Sequence, residues 1–180
     1  MPEFITETPR LILRQATPED VLGFYELDSD PDVHRFLGNK PVQTMEECLR
    51  VISWLQQQYA ENGIGRWSVI DKTTGEFVGW AGLKFVREET NGHVDYYDLG
   101  YRLKKKFWGR GLASECAAES LRYGFEILKL KEVYAAAHIE NVASNHILHK
   151  CGFIGEGRFV YDGAIHNWYR IDRLKWLLCA

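Results

Sequence analysis

The residues that concentrate chemistry lie in one stretch: Leu99-Gly100-Tyr101-Arg102-Leu103-Lys104-Lys105-Lys106-Phe107-Trp108-Gly109-Arg110-Gly111-Leu112-Ala113-Ser114. Its first part reads as a strand, its last residues open a helix, and two glycines stand at the turn between them. The first amides of a helix have no intrahelical acceptor, and the helix dipole makes that end positive. Glycine lets an anionic group approach the backbone with no Cβ in the way. With Lys104, Lys105, Lys106 and Arg110 around the mouth, a pyrophosphate would be stabilised there. The same pattern also describes a tight strand-to-helix turn with a solvated basic edge. Two nucleotide-binding patterns fit less well, and an NAD-binding oxidoreductase is a further alternative. A dinucleotide fingerprint needs a third glycine where Ser114 stands, and no phosphate loop ending in Gly-Lys-Ser/Thr is present. His146, His149 and Cys151 span less than two helical turns with no second ligand cluster, so no metal site is expected.

Composition narrows the function classes. The 180 residues carry 22 Lys and Arg against 25 Asp and Glu, a net charge of −3, with 46% hydrophobic and 26% charged residues. That is the balance of a globular protein with a sizeable core, and one domain over residues 1–180 is the expectation. The acidic balance makes nucleic acid an unfavoured partner. No window approaches a membrane span, and Met1-Pro2-Glu3-Phe4 has neither the basic start nor the apolar run of a secretory signal. The expected location is the cytoplasm, with Cys48, Cys116, Cys151 and Cys179 as reduced thiols rather than disulfides or metal ligands.

The elements that must position the glycine turn follow from local patterns. Residues 10–15 read as a first strand. Thr17-Pro18-Glu19-Asp20 opens a helix with a Thr cap, an early Pro and acids in the first turn, and residues 28–31 break it. A second helix starts at Thr44 and buries Met45, Leu49, Ile52, Leu55 and Tyr59, ending at Asn62-Gly63. Strands are expected over 66–71 and 76–86 around Lys72-Thr73-Thr74-Gly75, then over 95–103 after a polar loop at 87–94. The basic turn 104–111 leads into a helix with Ala113, Ala117, Leu121, Phe125 and Leu128 on one face. A strand over 131–139, a short helix over 143–150 and a hairpin of 153–161 with 165–174 across Asp162-Gly163 complete a mixed α/β sheet. Trp54, Tyr59, Trp67, Trp80, Tyr96 and Trp168 are either core or pocket aromatics.

At this level the chain resembles the GNAT superfamily of acyl-CoA-dependent N-acetyltransferases. Lys106-Phe107-Trp108-Gly109-Arg110-Gly111 is similar to its pyrophosphate loop, Gln/Arg-x-x-Gly-x-Gly/Ala, with Lys in the first place. Trp108 to Glu115 looks like the RimJ/RimL branch. Thr8-Pro9-Arg10-Leu11-Ile12-Leu13-Arg14, Asn141-Val142-Ala143-Ser144-Asn145, Lys150-Cys151-Gly152-Phe153 and Tyr161-Asp162-Gly163 resemble other segments of that branch, in the same order.

The resemblance implies a GNAT fold: a mixed, mostly antiparallel central sheet flanked by helices, with a splayed central strand pair forming an acyl-CoA cleft. It implies acetyl-CoA as co-substrate, no metal, and direct transfer to a primary amine: a protein N-terminus, amino acid, polyamine or antibiotic. Leu99, Tyr101 and Leu103 would bind the pantetheine arm through main-chain groups. Trp108, Gly109, Arg110, Gly111, Leu112, Ala113 and Ser114 would hold the pyrophosphate, and Asn141 and Asn145 the pantetheine amides. Asp98 is implied as the base, although Asp is one methylene shorter than the family's usual Glu; an Asp that only attracts a cationic substrate is the other reading. Leu148 stands where many members have a proton-donating Tyr, so the acid role passes to Ser144, which otherwise reads as a helix cap. Gly100 suggests a bulge or close backbone approach. A catalytically silent acyl-CoA sensor is the alternative function. Relatives of this kind occur as monomers or homodimers.

Overall fold

The computed structural model describes residues 4–179. Met1–Glu3, which form most of the segment read above as lacking a secretory signal, lie outside the described residues. Eight strands form a single sheet in the order β1-β2-β3-β4-β5-β6-β8-β7. They are β1 (Phe4–Glu7), β2 (Leu11–Arg14), β3 (Arg66–Asp71), β4 (Phe77–Val86), β5 (Tyr96–Leu103), β6 (Glu132–His138), β7 (Ile154–Tyr161) and β8 (Ala164–Asp172). Helices α1 (Val21–Asp28), α2 (Pro31–His34) and α3 (Met45–Asn62) precede β3. Then α4 (Leu112–Arg122) follows β5, α5 (Val142–Lys150) follows β6, and α6 (Arg173–Cys179) ends the chain. All neighbouring strands are antiparallel except β5 and β6, which are parallel and share the single register pair Asp98↔Tyr134. Past that pair they diverge. The sheet is mixed, mostly antiparallel and splayed at its centre, as expected.

Alternation along β5 sorts the site onto two faces. Arg102 meets Asp28 of α1 at 2.6 Å on one face, while Tyr101 meets Ser144 of α5 on the other. Trp67 packs edge-on against Tyr123, just past α4, at 5.1 Å on that second face. Apolar residues from both layers close the core, among them Leu11, Leu13, Phe24, Ile52, Val69, Leu83, Leu121, Phe125 and Ile171.

Several local expectations need correction. The buried stripe of α3 is Cys48, Ile52, Leu55 and Tyr59, whereas Met45 and Leu49 are exposed. Leu49 lies about 90° around the helix from the centre of that stripe, and Met45 stands on the first turn. The strand expected to run to residue 174 stops at Asp172, whose carboxylate accepts the Lys175 amide at 2.8 Å and starts α6. Strand β1 had no counterpart in the sequence reading. At the other end of the helix layer the reading holds: the Thr44 hydroxyl accepts the Glu47 amide and Gly63 closes α3 at φ 68°.

Candidate active site

The divergence of β5 from β6 opens a cleft of about 1050 Å³. Leu99, Tyr101 and Leu103 on one wall and Ala136, Ala137 and His138 on the other line its throat. Lys104 donates its amide to Val78 at 2.9 Å. Hydrogen-bonded pairs alternate along an antiparallel ladder, so Arg102 and Gly100 also face β4, and Leu99, Tyr101 and Leu103 turn their main-chain groups toward the gap. The Leu103 carbonyl is taken by the Trp108 indole at 2.8 Å.

One end of the cleft is the glycine turn. Gly109 and Gly111 have φ of 72° and 75°, the left-handed region that favours glycine. A Cβ on Gly109 would meet nothing within 4 Å, so the backbone there is open. Gly111 begins α4 with no side-chain cap, and the first helical bond runs from Glu115 N to Gly111 O at 3.1 Å. The amides of Leu112, Ala113 and Ser114 therefore lack intrahelical acceptors, and all three residues line the cleft. Trp108, Gly109 and Gly111 line it too. Arg110 does not; its guanidinium lies over the Phe107 ring at 5.4 Å. The turn is braced from outside by Arg10, which donates to the Arg110 carbonyl at 2.9 Å and to Glu115 at 2.7 Å.

The lysine run departs from expectation. Lys104 is buried and pairs with Glu26 and Glu76, Lys105 pairs with Asp32, and Lys106 with Glu76. Acids distant in sequence neutralise these charges, which leaves main-chain amides as the free donors at the turn.

Asp98 lines the cleft on the α1 face, with its carboxylate held by the buried Arg66 guanidinium. Arg66 also donates to the carbonyls of Asp98 and Gly82, and its guanidinium sits over Trp80 at 5.5 Å. A Cβ on Gly100 would stand 2.6 Å from Arg66 Nη2. The close approach expected at Gly100 is thus by a side chain, and the β4–β5 register passes through Gly82↔Gly100 without a bulge.

On the opposite face the Tyr101 and Ser144 hydroxyls lie 3.0 Å apart, and Tyr101 also donates to the Ser144 carbonyl at 3.2 Å. Burial pushes the Tyr101 hydroxyl up, against the lowering effect of the Ser144 bond, so it stays a proton donor. Ser144 does not cap α5. That role belongs to Asn141, whose Oδ1 accepts the Ser144 amide at 3.1 Å. Asn141 and Ser144 line the cleft; Asn145 does not. The Asn145 carboxamide donates to the carbonyls of His138 and Asn141 and accepts from Asn167 and Tyr169. Two donors and two acceptors exhaust an amide, so Asn145 ties α5 to β6 and β8 and cannot take the pantetheine contact expected of it. Leu148 is buried and lines the cleft beside Ser144.

The far end is aromatic. Tyr96, Phe159, Tyr161 and Trp168 line it, whereas Trp80 lies opposite Arg102, toward the glycine turn; Glu88 and Glu89 also line the cleft. Tyr59 and Trp67 are core instead, and Trp54 is 43% exposed outside the cleft. Among the described residues no group of three or more His, Cys, Asp and Glu could hold a metal ion, and no helix is long and apolar enough to cross a membrane.

The family model of the acetyltransferase (GNAT) domain matches residues 10–154. The chain belongs to the GNAT acetyltransferases. It is 31% identical to an uncharacterized N-acetyltransferase of Bacillus subtilis, YoaA, over 85% of this chain and 84% of that one. A spermidine N(1)-acetyltransferase of Escherichia coli is 27% identical over 88% and 80% of the two chains. A GnaT-family acetyltransferase structure from Bordetella pertussis superposes with a TM-score of 0.79 at 22% identity, over 92% of this chain and 97% of that one. This GNAT protein is therefore an acetyl-CoA-dependent acetyltransferase, and amines are the general class of its acceptors. Its main-chain donors at the α4 start and its unpaired β5 edge fit a long anionic acyl carrier.

Proposed function

We propose that this enzyme transfers the acetyl group of acetyl-CoA directly to a primary amine within a ternary complex. The observation that carries this reading is the division of labour across β5: Asp98 on the α1 face and the Tyr101–Ser144 pair on the α5 face, with the splayed throat between them. Acetyl-CoA supplies an activated thioester. The α4 amides hold its diphosphate, and the Tyr101 and Leu103 main chain holds its arm and polarises the carbonyl. Asp98 draws and deprotonates the ammonium, directly or through water, and Ser144, fed by Tyr101, returns a proton to the departing sulfur. Burial pushes the Cys48 and Cys151 thiols up to about 11, and neither lines the cleft. This supports transfer without a cysteine-bound acetyl group.

Release of free thiol across a panel of amines, with intact mass spectrometry of the enzyme, tests this. The expected result is amine-dependent thiol release with no acetylated enzyme. Tight coenzyme A binding with no transfer to any amine would make the protein a silent acyl-CoA sensor, a reading that the buried Leu148 supports. The motif likeness to the RimJ/RimL branch puts a peptide N-terminus in the panel, and we place the protein in the cytoplasm.

A further inference from the structure

The acceptor side of the cleft carries a cation that has no ion-pair partner among the described residues. Lys84 lies on β4 directly opposite Asp98 on β5 and lines the cleft. Neighbouring cations have partners: Arg66 holds Asp98 and Arg102 holds Asp28. Among the described residues Lys84 makes no hydrogen bond or ion pair, and its ammonium lies 5.7 Å from the Trp54 ring centroid. Burial pushes that ammonium below the usual lysine range, with Asp98 opposing. The Trp54 ring and Asp98 offset only part of the cost of burying this charge, and a ligand anion would offset more of it.

Residues directly opposite on antiparallel strands have Cβ atoms roughly 4.5–5.5 Å apart. Asp98 and Lys84 thus place a negative and a positive side chain at facing positions of the acceptor face, a pairing of opposite charges that matches an ammonium and a carboxylate on one carbon. Tyr96, two residues before Asp98 on the same face of β5, packs on Trp168 at 5.5 Å, and both line the cleft, which suits an apolar substituent on that carbon. A polycation would meet Lys84 as a like charge at its reacting end.

We propose that the acceptor is a free α-amino acid with an apolar or aromatic side chain, its ammonium held by Asp98 and its carboxylate by Lys84. This rests on the acetyl transfer proposed above. The ammonium gives one proton to Asp98 and thence to solvent. Its nitrogen then bonds the acetyl carbon as the carbon–sulfur bond breaks. The second proton lost from nitrogen balances the one that sulfur takes up through Ser144. The products are the N-acetyl amino acid, coenzyme A thiol and one solvent proton.

The test measures thiol release with L-phenylalanine and L-leucine, each beside its amide and its decarboxylated amine, and with spermidine. The free acids should exceed the other acceptors at least tenfold in kcat/KM. Lys84→Met should erase that preference through KM, and Lys84→Arg should retain it. Equal or better use of the decarboxylated amines or spermidine, or an unchanged preference in Lys84→Met, would overturn the proposal. If no amine is turned over, titration calorimetry of both amino acids into the coenzyme A complex decides. Binding that weakens at least tenfold in Lys84→Met upholds the zwitterion site while overturning the transfer reading, and absence of binding overturns the site.

Discussion

Asp98 has one carboxylate oxygen against Arg66 and belongs to a strand whose next register pairs open into the cleft. Its replacement by Asn should cut turnover at least tenfold and flatten the acidic limb of the rate–pH profile; a profile of unchanged shape removes it from the base role. Arg66→Ala removes the direct ion-pair partner of that carboxylate, and breaking a buried pair costs about 3–5 kcal/mol. Urea unfolding should show a loss of that size. On the opposite face Ser144→Ala should slow transfer while coenzyme A affinity holds, and Tyr101→Phe should do the same more weakly. Gly100 was legible as a place of close approach, but Arg66 was not. Arg66 pairs with Gly82, which pairs with Gly100, so its place depends on two registers across three strands. Asn145 failed as a site residue for the opposite reason: its motif is local, while the partners that saturate it lie on β8.

The turn between β5 and α4 was readable from its glycines, but not what holds it. Arg10, just before β2, bridges the Arg110 carbonyl and Glu115 across the helix entrance. Arg10→Ala should raise KM for acetyl-CoA with little change in kcat, and an unaffected KM would make the clamp ornamental to binding. The lysine run shows the limit of counting charge along a sequence, because Glu26, Asp32 and Glu76 reach it only after folding. A pH response resides in α2. Burial and then Arg102 push the His34 imidazole below its ordinary value; Asp28 lies 3.4 Å away, but Arg102 holds it at 2.6 Å. With the folded value depressed, the unfolded chain binds more protons below about pH 6.5. Stability should therefore fall as pH drops from 7 to 5, and His34→Gln should lessen that fall in thermal melts recorded across the range.

For the molecule as a whole, binding to the folded state alone adds about 2.7 kcal/mol at a hundredfold excess over Kd. A chain of this size gains about 2–4 °C per kcal/mol. Saturating acetyl-CoA should thus raise Tm by roughly 5–10 °C, and Gly111→Ala, strained at its positive φ, should lose much of that gain. The order of strands and helices was legible because each has its own periodicity and punctuation. The pairing that joins them was not, since register is a property of two segments.

That β5 and β6 share one register pair has a further result. The sheet is two panels, β1 to β5 and β6 to β8, stitched at Asp98 and Tyr134, and whatever lies in the throat between them becomes a splice. Amide hydrogen exchange in the coenzyme A complex should slow on both panels together, including β2, none of whose residues lines the cleft, because the ligand makes one cooperative unit of two.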